Sequence, residues 1–377
     1  MFKTLKHISE AIEFMQLPDE MRKVVFYSEG KSYWPIFKGL VEGILDHSDL
    51  NVCYITSGKD DPGNKYSHNQ FSSFIIDDGY VRNWLFANMQ AKILIMTMPD
   101  LNQYQLKKSK HPIHYIYIQH ALMSLHMVYR QGAFDCFDTV FCSGPHHIDE
   151  LRCLEEKYNL PQKKLLKHGY SRLDLLIKYK QPIKTNNDYK HALFAPSWGP
   201  SAAIELGLGD QVVEKLLSFG CKVTFRPHPE TLKSSLKIVN KIIRKYSSNV
   251  MFFYDESVSS LDSFHQSDFM ISDWSGAALE YSFGLNKPVI FLDLPKKINN
   301  PAYKEINIVP FEVSVREDIG VIVGIEGLTS KLISTLSYPK VDPSKYVFNI
   351  GKSDFYGVQY ILDLLDNLSN TEVNPRS

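Results

Sequence analysis

Residues 272–293, SDWSGAALEYSFGLNKPVIFLD, follow a short apolar run and predict a sharp turn, a helix and a buried strand. The apolar run is Phe269, Met270 and Ile271, and the strand after the helix is PVIFL, which begins at Pro288. A strand, a helix and a second strand in this order form the repeating unit of α/β proteins with parallel sheets. The stretch therefore favours an α/β fold.

The turn in this stretch also predicts a binding site for an anion. Ser272 and Asp273 are good helix N-caps, and Ser275 and Gly276 then begin the helix. The free N–H groups and the dipole at a helix N-terminus favour negative charge, and glycine lets the backbone approach a ligand closely. We therefore expect a phosphate-bearing ligand here, with Glu280, one turn into the helix, near a sugar hydroxyl group. A plain capped helix is the alternative.

Length and composition indicate a globular protein with two domains. The 377 residues exceed one ordinary core and suit two domains of roughly 150 residues each. Hydrophobic residues make up 44% of the chain and charged residues 22%, and the 42 basic and 42 acidic residues cancel. Because binding to a phosphate backbone needs an excess of basic residues, nucleic acid is not expected as a partner.

The cysteines and the apolar segments predict a cytoplasmic location. Five cysteines are scattered without a CxxC pair, which favours free thiols in a reducing compartment. No apolar run approaches the roughly 20 residues that span a bilayer, and the N-terminus lacks the pattern of a secretory signal. Phe2, Leu5, Ile8, Ile12 and Met15 lie at helical spacing and predict a helix packed on its own domain, with a membrane-surface helix as the alternative.

The order of predicted elements implies two Rossmann-like domains that face each other across a cleft. Strands rich in β-branched and aromatic residues alternate with helices, which implies parallel sheets covered on both faces. A polar linker at residues 179–189 separates the two runs of elements. The predicted domains are residues 1–180 and residues 190–345.

Residues 346–377 are predicted to contain a long helix at 355–368 that packs back across the junction onto the N-terminal domain, followed by a disordered tail at 370–377. The predicted strands are 23–27, 51–56, 93–97, 113–119, 139–143, 165–168, 192–195, 222–225, 251–254, 269–271 and 289–292, and the main helices 33–46, 203–218 and 231–247.

Polar turns follow four of these strands, from both domains. Ligands of such sheets bind outside the carboxyl ends of the strands, so we expect the four turns to converge on one cleft. The turns contain Gln119, His120 and Ala121; Pro196, Ser197 and Trp198; Arg226 and His228; and the SDWSG motif.

His228 and Arg226 are predicted to contact a phosphate group. His228 lies between two prolines, each of which fixes φ at about −65°, so the backbone of this turn is stiff. A guanidinium and an imidazole at a strand end suit a phosphate oxygen or a leaving group. The alternative is a rigid turn in which the histidine only bonds to a neighbour.

His120 is predicted to be a general base acting on an acceptor hydroxyl group. It follows a strand of the N-terminal domain, and an ordinary histidine pKa of about 6.5 allows proton transfer near neutral pH. A capping or core histidine is the alternative. The histidines and cysteines lack zinc-like spacing and no acidic pair stands in a metal-binding turn, so no metal site is predicted.

Four motifs resemble those of a known family. They are GYSRLD at 169–174, LFAPSW at 193–198, RPHP at 226–229, and SDWSG at 272–276 with KPVIF at 287–291. In this order and spacing they are similar to motifs of the CDP-glycerol glycerophosphotransferases, the GT-B-fold polymerases and primases of teichoic acids and capsules. The resemblance extends over about residues 110–295.

The resemblance implies transfer of glycerol phosphate from CDP-glycerol to an acceptor hydroxyl group, with release of CMP and without an essential metal or other cofactor. It implies that residues 1–180 form the acceptor side and residues 190–345 the donor side. His120 would be the base, and His228 would contact the donor phosphates. The implied donor site also contains Arg226, Pro196, Ser197, Ser272, Asp273, Ser275, Gly276 and Glu280, and an R-x-D turn at Arg172 and Asp174 would line the cleft or support it.

The implied partners are a nucleotide-activated donor and a glycan or lipid-linked acceptor, in bacterial surface-polysaccharide biosynthesis. For a lipid-linked acceptor, the expected place is the inner face of the cell membrane, with peripheral attachment at most.

Three residues depart from the family pattern. Ala121 stands for the glycine of an HG turn, Gly276 for a second serine, and Gly199 for an arginine after Trp198. A hydroxyl group and a cation that would face the phosphates are missing, which puts the identity of the donor in doubt. Two alternatives stay open. One is a GT-B glycosyltransferase that uses a nucleotide sugar, and the other is an inactive scaffold subunit.

Overall fold

The computed structural model describes residues 2–104, 106–179, 188–257, 260–335 and 340–373. Most of the predicted linker at residues 179–189 and the last part of the predicted tail lie outside these residues. Residues 370–373 belong to the C-terminal helix, so the predicted tail is wrong for these positions.

The chain alternates strands and helices along its length. The strands are β1 Val24–Ser28, β2 Val52–Thr56, β3 Phe71–Ile75, β4 Ile93–Met96, β5 His114–Ile118, β6 Thr139–Cys142, β7 Lys164–Lys167, β8 His191–Phe194, β9 Lys222–Phe225, β10 Phe252–Tyr254, β11 Phe269–Ser272, β12 Val289–Leu292 and β13 Gly320–Val323. The helices are α1 Phe2–Gln16, α2 Trp34–His47, α3 Tyr80–Asn88, α4 Leu125–Val128, α5 Pro145–Lys157, α6 Ser171–Lys178, α7 Gly209–Ser218, α8 Pro229–Ser234, α9 Leu236–Tyr246, α10 Asp262–Gln266, α11 Gly276–Leu285, α12 Phe311–Ser314, α13 Arg316–Ile319, α14 Leu328–Thr335 and α15 Ser353–Val373.

Contacts divide the chain into two compact units. As far as these residues are described, the first unit comprises Met1–His120, Tyr129–Asp174 and Tyr346–Ser377. The second comprises Ala121–Val128 and Leu175–Lys345. The short segment Ala121–Val128 therefore packs in a different unit from the residues on either side of it, which the sequence pattern does not predict.

Each unit is built around one parallel sheet. The strand order is β3-β2-β1-β4-β5-β6-β7 in the first unit and β10-β9-β8-β11-β12-β13 in the second. The central strands are apolar and buried along their whole length, as expected of parallel strands covered on both faces. The predicted parallel-sheet α/β fold is confirmed, and the predicted cleft between the domains stays a prediction.

Both sheets reverse their strand order at one point. In the first unit this point lies between β1 and β4, and in the second it lies between β8 and β11. Connections leave the sheet in opposite directions on the two sides, which opens a crevice at the carboxyl ends of the two strands. Topology therefore places a binding site beyond Ser28 and Met96 in one unit, and beyond Phe194 and Ser272 in the other.

Helix α1 packs on the first unit through a different stripe from the one predicted. Ala11 and Phe14 are fully buried, and the ring of Phe14 meets Phe74 at 5.6 Å. Leu5 and Ile12, by contrast, are 55% and 43% exposed. None of the helices in the described ranges combines the length and the apolarity needed to cross a bilayer.

Several boundaries differ from the sequence prediction for local reasons. Strand β3 was missed because its sequence, FSSFI, is half polar, and β13 was missed as well. Helix α7 begins at Gly209, later than predicted. The predicted first residue, Ala203, belongs to a turn, and its amide donates a hydrogen bond to the carboxylate of Asp273, which follows β11. The predicted helix at 231–247 is divided at Ser235, whose φ is −130°.

Helix α15 packs on α2 within the first unit, and glycines set the closeness of this contact. A Cβ atom on Gly43 would lie 2.6 Å from Cγ2 of Val358, and one on Gly357 would lie 2.5 Å from Cδ2 of Leu40. Val358 also belongs to the same hydrophobic core as the apolar face of α2. The missing side chains at the glycines therefore let the two helix backbones approach.

The R-x-D turn holds the beginning of α15. The Asp174 carboxylate accepts hydrogen bonds from the amides of Gly351 at 2.5 Å and Ser353 at 2.8 Å. It also accepts one from the Ser353 hydroxyl group at 2.5 Å. These contacts agree with a supporting role of Asp174, because its carboxylate holds the residues at the beginning of α15.

Replacing Gly43 by alanine is expected to lower the free energy of unfolding by about 1–3 kcal/mol, because overpacking against Val358 exceeds the gain in helix propensity of about 1 kcal/mol. Urea denaturation measures this change. Gly327→Ala is the control, since a Cβ atom there meets nothing within 4 Å. A Gly43→Ala variant as stable as the parent, or one that Val358→Ala does not partly rescue, would contradict the close packing.

Candidate active site

The carboxyl ends of β8 and β11 form the centre of the site in the second unit. Ser272, the last residue of β11, is fully buried and donates its hydroxyl hydrogen to the carbonyl of Ala195 at 2.7 Å. Pro196 and Ser197, which follow β8, are buried as well. The Ser272 side chain thus joins the two strand ends at the reversal point, and its hydroxyl hydrogen is used within the protein.

Asp273 fixes the loop that leaves β8. Its carboxylate accepts hydrogen bonds from the amides of Ser197 at 2.6 Å, Trp274 at 2.7 Å and Ala203 at 2.9 Å, and the residue is 1% exposed. A buried carboxylate with backbone donors on both oxygens is compensated by these hydrogen bonds. Asp273 therefore shapes the site by holding backbone.

Helix α11 presents its N-terminus at this point. Ser275 is the N-cap, and its hydroxyl oxygen accepts the amide of Ala277 at 3.3 Å. The amides of Ser275 and Gly276 have no hydrogen-bond partner within the described part of the chain, and both residues are partly exposed. Two free amides at the positive end of a helix form a site for an anion such as phosphate.

Packing does not explain why residue 276 is a glycine. A Cβ atom there would meet Cγ of Met123 at 3.5 Å and Cβ of Ala121 at 3.9 Å, which are ordinary contacts. The space thus accepts a Cβ atom at this position. Glu280, one turn further, is 7% exposed, and its predicted contact with a ribose stays a prediction.

His228 is a neutral imidazole with a defined proton position. Its Nδ1 accepts the amide of Glu230 at 3.1 Å as the N-cap of α8, so the proton is assigned to Nε2. Burial, with the positive charge of Lys297, lowers the pKa of His228 to about 4. At neutral pH the ring therefore offers a hydrogen-bond donor rather than a positive charge.

The Arg226 guanidinium is held within its own unit. Its Nη1 donates to the Ser263 hydroxyl oxygen at 2.7 Å and to the Ser260 carbonyl at 2.9 Å, and it lies 3.2 Å from the Asp255 carboxylate. The guanidinium also lies 5.1 Å from the centre of the Phe264 ring. These contacts connect β9 to α10, and the predicted contact with a donor phosphate stays a prediction.

Lys297 is a residue of this site that the sequence analysis missed. It lies in the loop after β12, and its Nζ is 3.9 Å from the centre of the Trp198 ring. The Trp198 ring is in turn 5.9 Å from the His228 ring. Lys297 follows the buried strand β12. Position after a buried strand is also the feature by which the four other turns were selected, so the sequence could have indicated this residue.

The first unit carries a second missed residue at the reversal point of its sheet. Glu29 follows β1 and Thr97 follows β4, and the Thr97 hydroxyl group donates to the Glu29 carboxylate at 3.2 Å. Burial raises the pKa of Glu29 to about 7, although the Thr97 hydrogen bond and the charge of Arg82 oppose it. A carboxyl group with this pKa can accept or give a proton near neutral pH.

His120 follows β5 on the same edge of the first sheet, between two phenols. The Tyr117 hydroxyl group is 3.3 Å from Nδ1, and the Tyr129 hydroxyl group is 3.3 Å from Nε2. Burial lowers the pKa of His120 to about 4, opposed by a hydrogen bond with the backbone of Thr97. The ring is therefore neutral at pH 7 and can accept a proton, but it is a weak base until negative charge is placed near it.

Within the second unit the structure brings together most of the predicted donor residues, at the reversal point of one sheet. His120 lies in the first unit, and its predicted convergence with His228 stays a prediction. Among the residues that the structure describes, no group of three or more His, Cys, Asp or Glu side chains is placed to hold a metal ion. The expectation of metal-independent catalysis also stays a prediction.

Two Rossmann-like units with parallel sheets define the GT-B class of fold. A family model described as CDP-glycerol:poly(glycerophosphate) glycerophosphotransferase matches residues 15–295. The chain belongs to this family, and it is an enzyme of the glycerophosphotransferase type. The match confirms the resemblance seen in the sequence motifs and extends it toward the N-terminus.

Solved structures share the fold. The wall teichoic acid polymerase TagF, described as soaked with CDPG, is 15% identical with a TM-score of 0.60, covering 97% of this chain and 98% of that chain. UDP-GlcNAc 2-epimerase from Methanocaldococcus jannaschii is 12% identical with a TM-score of 0.54, covering 90% and 99%. A putative UDP-N-acetylglucosamine 2-epimerase from Listeria monocytogenes is 12% identical with a TM-score of 0.58, covering 94% and 98%. A comparison with curated proteins found no match.

Asp273→Asn is expected to lower the free energy of unfolding by about 2–4 kcal/mol, because an amide nitrogen would replace an oxygen that accepts a backbone hydrogen bond inside the protein. Guanidinium denaturation measures the loss. Glu326→Gln removes an exposed ion pair with Lys215 and should change stability by less than about 1 kcal/mol. Equal stability of the two variants would show that Asp273 does not hold the loop.

Glu29→Gln is expected to stabilise the protein at pH 8 by about 1–3 kcal/mol and to have little effect at pH 4.5. A carboxyl group whose folded pKa of about 7 exceeds the unfolded value binds more protons when folded, so its charge costs stability as pH rises toward 7. Thermal unfolding at several pH values tests the sign. A variant less stable than the parent at pH 8 would show that the Glu29 carboxyl group is not penalised by burial.

Proposed function

We propose that this protein transfers glycerol phosphate from CDP-glycerol to a hydroxyl group of a glycan-type acceptor in the synthesis of a teichoic acid or a related surface polymer. The observation that carries the proposal is the helix N-terminus with two unbonded amides at the reversal point of the second sheet, in a chain of the glycerophosphotransferase family. The TagF structure that shares the fold is described as containing CDPG, which agrees with this donor.

The reaction exchanges one phosphorus–oxygen bond for another. The acceptor oxygen forms a bond to the phosphorus that carries glycerol, and the bond from that phosphorus to the bridging oxygen breaks. The hydroxyl proton passes to a base, and CMP leaves with the electron pair. Such transfers depend on positioning and on stabilising negative charge on the phosphate oxygens.

The second unit provides groups for that negative charge. The free amides of Ser275 and Gly276 and the α11 dipole suit non-bridging phosphate oxygens. The Nε2–H of His228 suits an oxygen of the leaving phosphate, because Nδ1 is already bonded to the Glu230 amide. Asp273 contributes indirectly, by fixing the backbone around the site.

The first unit provides the groups for the proton. His120 is neutral and can accept the acceptor's proton, and negative charge placed near it would raise its pKa. Glu29 lies on the same sheet edge, bonded to Thr97, and has a pKa of about 7. We assign His120 as the base, and Glu29 is a second titratable group on the same sheet edge.

The proposal is tested by measuring CMP release from CDP-glycerol in the presence of a glycan carrying a terminal glycerol phosphate. His120→Ala is expected to lower kcat by about 10²–10⁴-fold, as for the loss of a general base. His228→Ala is expected to lower it by about 10²–10³-fold, as for the loss of a donor to a developing anion.

His68→Ala is the matched control, since His68 is exposed in a loop of the first unit and should leave kcat unchanged. Release of CMP that neither site variant reduces would contradict the assigned roles. Turnover of a UDP-sugar instead of CDP-glycerol would support the glycosyltransferase alternative, and binding of neither donor would support an inactive scaffold.

A further inference from the structure

The turn at Trp198 lacks the arginine of the family pattern, and a cation from another segment lies on its indole ring. Gly199 follows Trp198, and a Cβ atom on this glycine would meet nothing within 4 Å. Lys297, almost a hundred positions further along the chain, places its Nζ 3.9 Å from the centre of the Trp198 ring. A cation over the face of tryptophan is attracted by the negative face of the ring, most strongly where water is excluded.

The Lys297 ammonium group has no carboxylate within ion-pair distance among the residues that the structure describes. The nearby acids that act on it are bonded to other groups. Asp273 accepts backbone amides, Glu205 accepts the Thr231 hydroxyl group at 2.9 Å, and Glu230 pairs with Lys233 at 2.6 Å.

Burial lowers the pKa of Lys297 to about 8, although the charges of Asp273, Glu205 and Glu230 oppose the shift. The lysine is therefore held partly desolvated against an aromatic ring, and no described carboxylate is in contact with it. Positive charge in this state is stabilised by an incoming anion, which restores the pairing that burial removed.

We propose that Lys297 is a phosphate-binding residue of the donor site, whose ammonium group bonds a non-bridging oxygen of the nucleotide diphosphate and which Trp198 holds in position. The proposal rests on the proposed function, because it concerns the donor of that reaction. The His228 ring, 5.9 Å from that of Trp198, lies close to the same indole. The family pattern has an arginine at the position of Gly199. In this chain Lys297 supplies the positive charge instead, from the loop after β12.

The contrast with Arg226 supports this assignment. Arg226 already donates to Ser263 and Ser260 and pairs with Asp255, so its guanidinium connects two elements of the fold. Within the described ranges Lys297 makes no such bonds, and its amino group is attached to a flexible stem that can follow a phosphate. Of these two cations, Lys297 is the one available to a ligand.

The test is isothermal titration of the full chain with CDP-glycerol, CMP and cytidine. Lys297→Met is expected to weaken CDP-glycerol binding by about 10–100-fold and cytidine binding by less than about twofold, since only the former carries phosphates. Lys296→Met is the matched control, because the neighbouring Lys296 is exposed, and it should leave all three affinities unchanged. Because Lys297→Met removes a partly buried charge, this variant should be at least as stable as the parent.

A second readout separates a phosphate contact from a structural role. Affinity of the parent for CDP-glycerol should fall between about pH 7 and pH 9 as Lys297 loses its proton, while Lys297→Arg should keep the affinity and lose this pH dependence. The other groups acting at this point are the carboxylates of Asp273, Glu205 and Glu230, the Lys233 ammonium group and the neutral His228 ring. The guanidinium group of Lys297→Arg keeps its charge over this range, so a pH dependence that this variant loses is assigned to Lys297.

The outcomes are distinct for the two proposals. If the parent binds CDP-glycerol and Lys297→Met binds it within about twofold, the role of Lys297 is wrong while the proposed function stands. If Lys297→Met weakens the binding of cytidine as much as the binding of CDP-glycerol, the residue stabilises the fold and does not contact the phosphates. If the parent binds no CDP-glycerol, the proposed function and this inference fall together.

Discussion

The buried Asp273 carboxylate makes the hydrogen bonds on which the rest of the candidate donor site depends. It is almost inaccessible and accepts amides from its own turn and from the loop after β8. An uncompensated carboxylate at this depth would be strongly unfavourable, so these amides and the carboxylate require each other. These hydrogen bonds connect two strand ends rigidly. The N-terminus of α11 lies next to this connection, since the helix begins three residues after Asp273. An anion site at a helix end is effective only if the helix is held in this way.

Desolvation sets the protonation states of the candidate groups in each unit. His120 and His228 are neutral because burial disfavours the imidazolium, and Glu29 and Lys297 have pKa values of about 7 and 8 for the same reason. Groups in this state change protonation or pairing when a charged ligand enters. Negative charge brought close to any of these groups would raise its pKa.

Helix α15 shows how distant segments complete a unit. The Asp174 carboxylate holds its first turn, and glycines in α2 and α15 allow close packing of the two backbones. The periodicity of the apolar residues predicts this helix, and the observed helix extends beyond the predicted one at both ends. The helix α1 is also predicted correctly, but the buried face is not the predicted one. The position of β3 decides which side chains of α1 are buried, as the contact between Phe14 and Phe74 shows.

The sequence by itself determined the alternation of strands and helices, the turns that end the strands, and the family, because apolar spacing and turn residues are local properties. It also selected Ser275, Asp273 and both histidines as candidate site residues by their position after a buried strand. Only the tertiary structure decided which side chains serve the backbone and which stay available to a ligand. Arg226 is bonded within its unit, whereas Lys297 lies on Trp198 without a carboxylate in contact in the described part of the chain. Pairing and burial depend on neighbours that are far apart in the chain, and no local pattern encodes them.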